Sequence, residues 1–158
     1  MSAIITNYQI YLEIAEAAQA ESIRIRAVTT RPKPDGSSGA IISWDPERKA
    51  FKQSLIAIAF SGMYLEAVVS LVATTRFGAD LYKKIDRNTN YEDKLRLLGI
   101  QDPRLLNACK RFREARNELV HEKAAPLDTF TSAEHKDAET EARLGLAFVT
   151  EVGMKLRP

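Results

Sequence analysis

Arg116, Asn117 and His121 fall within one short run, RNELVH, toward the end of the segment DPRLLNACKRFREARNELVHEK. A guanidinium presents its donors in a planar fork that matches a phosphate or a developing oxyanion, and it never gives up its charge. An imidazole titrates near neutrality and can take or give a proton. Together they are a minimal kit for cleaving a phosphodiester, with histidine as general acid or base and arginine as charge stabiliser. Asn117 and His121 are four residues apart, the separation that puts two side chains on one helix face.

The same segment, wound at about 100° per residue, has a core stripe of Leu105, Cys109, Phe112, Leu119 and Val120. Arg116 falls in the middle of that stripe, whereas Lys110, Glu114, Asn117 and His121 lie on the other side. A guanidinium on an apolar face needs a partner. The expected one is Glu66, the single charge inside the apolar run LIAIAFSGMYLEAVVSLVA. That pairing alone would make Arg116 structural. Arg116 and His121 point about 140° apart on a regular helix, so they share a site only if the helix ends by His121 or if a second protomer supplies one of them. The spacing therefore predicts a dimer. Lys110, Arg111, Arg113 and Lys123 either line a path for RNA or, with Glu114, Glu118 and Glu122, form an ordinary solvated face.

The elements that must position these residues read as helices. Apolar residues at helical spacing from Ile4 to about Arg26 predict an amphipathic N-terminal helix. TTRPKPDGSSG breaks it, giving a mobile loop over 29–43. Ser43 or Asp45 as cap, Pro46 in the first turn and Glu47 at the positive end of the dipole predict a long helix that Gly78 ends near Phe77. Its middle is long enough to cross a bilayer, but Glu66, Ser61, Gly62 and Ser70 favour a buried central helix and no membrane. ADLYKKID and NTNYEDKLRLLG predict two short helices, the second ending at Gly99. Asp102 and Pro103 open the helix that carries the motif. Thr131 with Glu134 makes a capping box for the last one. Nothing alternates with period two, so no sheet is expected. The fold class is all-α: an antiparallel bundle of four main helices plus short ones, in one domain spanning 1–158, with an N-terminal helix over 1–28 and a bundle core over 44–158.

Composition sets limits. The chain has 158 residues, 45% hydrophobic and 28% charged, with 23 basic against 21 acidic residues and a formal net charge of +2. That balance does not suit a protein that coats nucleic acid non-specifically. The single cysteine permits no internal disulfide, and with no basic, apolar leader at the N-terminus a cytoplasmic address is expected. His121 and His135 lie in different elements without further cysteines, so neither a metal site nor a cofactor is expected. No glycine-rich loop follows a strand, and no serine sits in a nucleophile elbow.

Arg116-Asn117, the spacer Glu118-Leu119-Val120 and His121 resemble the hallmark motif of the HEPN superfamily, in which arginine is followed by a polar residue, a short spacer and histidine. The leucine-rich KLRLLG before the motif helix and the earlier apolar helix with its glutamate, MYLEAVVSLV, are similar too, and the likeness runs from about Ser43 to the C-terminus. The resemblance implies a HEPN-like helical bundle that dimerises through the motif helices. It also implies metal-independent endoribonuclease activity at a composite site, in toxin–antitoxin, antiphage or RNA-processing settings. On that basis His121 activates the ribose 2′-hydroxyl or protonates the leaving oxygen, Arg116 holds the scissile phosphate, and Asn117 orients His121 or the phosphate. Glu66, Arg113 and Lys110 would support the site. Implied partners are a second copy of the chain, RNA, and a cognate antitoxin or other protein. The alternative is a non-catalytic dimer that binds RNA, nucleotide or a protein. In one toxin subgroup a tyrosine stands two places after the histidine; here that position is Lys123, so the resemblance does not extend to that subgroup.

Overall fold

The structure is a computed structural model that describes residues 8–38, 40–42, 47–120 and 132–157. It is predominantly helical. The described elements are α1 (Tyr8–Thr29), a two-stranded ribbon of β1 (Thr30–Pro32) and β2 (Ala40–Ile42), α2 (Lys49–Phe77), α3 (Ala79–Asn88), α4 (Tyr91–Leu97), α5 (Pro103–Val120) and α6 (Ser132–Leu156).

Local signals explain most of the boundaries. Gly78 ends α2 at φ 81°, where its N–H reaches back to the Thr74 carbonyl at 2.9 Å; a side chain would strain that backbone. Asn90 caps α4 by accepting the Asp93 N–H at 2.8 Å. Asp102 accepts the Arg104 N–H at 2.9 Å, and Pro103 is the first residue of α5.

Two expectations are corrected. The loop expected over 29–43 contains an antiparallel ribbon, with Thr30 opposite Ile42 and Pro32 opposite Ala40. Strands of three residues are too short to show a period-two pattern. The long helix begins at Lys49 instead of at Pro46, because Glu47 lies in a turn and Arg48 holds a left-handed conformation (φ 52°, ψ 38°). The expected cap at Ser43 or Asp45, and Thr131 of the expected capping box, lie outside the described residues.

Helix α2 is the centre of the packing. Tyr8 meets Tyr64, Tyr11 meets Phe60, and Ser22 donates to the Ala50 carbonyl at 3.1 Å, so α1 runs back along α2. Small residues at this seam (Ala15, Ala18, Ser22 and Ala57) let the two backbones approach closely. On its other flanks α2 meets α6 and α5. The apolar run of α2 has the length and composition of a bilayer-spanning helix, and half of its most apolar window is buried inside the protein. Ile58, Leu65, Val68, Val69 and Val72 form the centre of the core there.

Helix α5 fits the wheel. Leu105, Cys109 and Phe112 are buried, Leu119 packs on the core edge, and Lys110, Glu114 and Asn117 are exposed. Val120 is the last described residue of the helix. The Phe112 ring lies against Gly145 of α6, where a Cβ would stand 2.5 Å from the ring. Arg111 and Arg104 tie the outer side of α5 to Glu141 and Glu151 of α6.

Candidate functional site

The misfit arginine of α5 finds the misfit glutamate of α2. Arg116 Nη1 donates to Glu66 Oε1 at 2.6 Å. The pair differs from the expectation in depth: the Arg116 side chain is 22% exposed and that of Glu66 45%, so it stands at the rim of the core and water reaches it. Its partner geometry depends on Gly62, one turn before Glu66. A Cβ at Gly62 would stand 2.7 Å from Arg116 Nε and 2.9 Å from Cζ. The glycine is therefore a slot against which the guanidinium lies, and the Nε–H buried there has no hydrogen-bond partner among the described residues.

Arg116 opens onto a cleft of about 160 Å³ between α2, α4 and α5, lined also by Gly62, Tyr91, Phe112, Arg113 and Asn117. Arg113, one turn before Arg116, donates to Glu92 Oε1 of α4 at 3.1 Å. Two guanidiniums thus stand on one wall, each held by a carboxylate from a different element. Arg113 and Asn117 are brought to Arg116; Lys110 is exposed and does not line the cleft. The row of basic residues is divided in the same way, since Arg111 turns to Glu141 on the far side of α5. His121 and Lys123 lie outside the described residues.

Sequence reading missed Tyr91, the first residue of α4. It walls both this cleft and a second cavity of about 350 Å³ lined by Glu66, Ser70, Tyr82, Asp86 and Lys94. Burial, and then the neighbouring Glu66 carboxylate, push the Tyr91 phenol well above its ordinary value. Burial with the Asp86 carboxylate beside it pushes Tyr82 up to about 12. Lys94 is only 8% exposed; its ammonium lies 2.5 Å from Asp86 Oδ1 and 5.0 Å from the centre of the Tyr91 ring. The signal for this cluster is weak in sequence, because its members come from α2, α3 and α4 and each looks like an ordinary surface residue of its own helix.

Among the described residues no group of three or more His, Cys, Asp or Glu side chains is placed to hold a metal ion. Chemically, the cleft offers two fixed cations, an amide and a phenol in a half-shielded setting, which suits an anionic oxygen. No protein-family model, curated protein or solved structure matches this chain.

Proposed function

We propose that this chain is a metal-independent endoribonuclease of HEPN type, an antiparallel four-helix bundle that works as a homodimer. The observation that carries the reading is Arg116 itself: a fixed guanidinium, seated in a glycine slot and aligned by Glu66, opening onto a cleft that also holds Arg113 and Asn117. Such a site stabilises negative charge on a phosphoryl group without having to reorganise. The ribose 2′-hydroxyl attacks phosphorus and loses its proton to a base, the 5′-oxygen leaves with a proton from an acid, and a 2′,3′-cyclic phosphate remains. His121 supplies one or both proton transfers, and in this reading the second protomer brings it to the cleft. The protein works in the cytoplasm, and a cognate antitoxin or another protein partner is what would restrain it.

Incubation with mixed-sequence RNA in EDTA tests this. The expected products carry 2′,3′-cyclic phosphate ends, and both Arg116→Ala and His121→Ala lose them. Absence of cleavage, or cleavage undiminished in both variants, overturns the proposal.

The ion pair supports a second reading as well. Glu66 gives Arg116 a structural partner, as a non-catalytic dimer that binds RNA, nucleotide or a protein would require. That reading expects binding without turnover.

A further inference from the structure

We infer that the cavity between α2, α3 and α4 is a guanine-binding pocket next to the Arg116 cleft, an inference that rests on the ribonuclease reading and names the base it selects. The two spaces are joined through shared walls. Tyr91 lines both, and Glu66 lines the cavity while holding Arg116 at 2.6 Å. Gly62, Glu66 and Ser70 mark successive turns of α2, so the cavity begins about 6 Å along the helix from the arginine seat. A phosphate on Arg116 therefore leaves its own nucleoside within reach of the cavity.

The size and lining fit a base. A volume of about 350 Å³ lies within the usual range for small-molecule pockets. Tyr82 supplies aromatic surface, the Lys94 ammonium standing over the Tyr91 ring at 5.0 Å, and single-stranded RNA is read by stacking on such rings while polar groups take the base edge.

The polar groups choose among bases. Glu66 and Asp86 accept hydrogen bonds, and the Lys94 ammonium donates. Lys94 and Asp86 are already fixed side by side at 2.5 Å, and the Tyr82 hydroxyl holds Asp86 Oδ1 at 3.2 Å. Two acceptors and one donor lining one cavity match guanine, whose pairing edge carries the 2-amino group and the ring N1–H next to the O6 acceptor. Uracil presents the reverse, one donor between two acceptors, and would set its carbonyls against carboxylates. Adenine offers no third group to the set. A site built to meet donors rejects a ligand that lacks them.

The experiment is a titration of the full-length protein in EDTA with the 3′-monophosphates of guanosine, inosine and uridine, alongside mapping of cuts in mixed-sequence RNA. Guanosine monophosphate should bind about tenfold more tightly than uridine monophosphate. Inosine monophosphate, which lacks only the 2-amino group, should fall between them, and cuts should cluster next to guanosine. Asp86→Asn, checked for folding by its melting curve, should lose most of the preference. Guanosine-selective binding without cleavage supports the pocket while removing the ribonuclease reading. Cleavage without base preference, with guanosine and uridine monophosphates binding equally, overturns the pocket and leaves the ribonuclease reading in place. Failure of all three nucleotides to bind also overturns the pocket.

Discussion

Replacing Gly62 with alanine should disturb Arg116 more than it disturbs the fold. A new Cβ would lie 2.7 Å from Nε, 2.9 Å from Cζ and 3.0 Å from Cδ of Arg116, so the side chain must leave its seat. Two effects then oppose one another. Alanine is better than glycine inside a helix by about 1 kcal/mol. Overpacking, together with loss of a half-exposed ion pair, costs about 1–3 kcal/mol. In the natural background the net change is a loss of about 0–2 kcal/mol. In an Arg116→Ala background the seat is vacant and only the gain remains, about 1 kcal/mol of added stability. The double-mutant cycle should therefore show a coupling of about 1–3 kcal/mol between positions 62 and 116. For a chain of this size each 1 kcal/mol moves the melting temperature by about 2–4 °C, so thermal melts of the four proteins resolve it. A coupling below about 0.5 kcal/mol would refute the reasoning that the glycine is a seat for this arginine. In the ribonuclease assay Gly62→Ala should resemble Arg116→Ala.

Further expectations follow from the same packing and electrostatics. Gly145→Ala would put a Cβ 2.5 Å from the buried Phe112 ring, which cannot swing into solvent as an arginine can; a loss of about 1–3 kcal/mol is expected in denaturant titration. The Lys94 ammonium holds the Asp86 carboxyl below its ordinary value of 3.8. A folded value below the unfolded one means that Asp86 adds stability above the unfolded value and that this is lost as pH falls through the folded value. Melting temperatures followed below pH 4 should therefore fall less steeply in Asp86→Asn than in the natural protein; equal slopes would contradict this. Burial, with the Glu92 carboxylate as the next cause, pushes the Cys109 thiol up to about 12. It should resist alkylation near neutral pH in the folded protein and react readily once the chain is denatured.

Reading the residues alone went furthest where the physics is local. The stop at Gly78 and the Asp102–Pro103 start of α5 each depend on a few neighbouring residues, and both were legible. The start of α2 was misplaced for the same local reason. Pro46 and Glu47 are good first-turn residues, but Arg48 adopts a left-handed backbone that sets the start at Lys49. The ribbon of β1 and β2 left no trace, since three residues cannot establish a period.

The sequence by itself determined that Arg116 lies on a core-facing stripe and that Glu66 is its partner, because each is a lone charge in an apolar pattern and opposite charges in such places satisfy each other. Only the tertiary structure decided how deep the pair lies, that Gly62 provides its seat, that Arg113 joins it across from Glu92, and that Tyr91 separates two cavities. Those features arise where α2, α3, α4 and α5 meet. They depend on the distances between helices, and no periodicity within one helix encodes that.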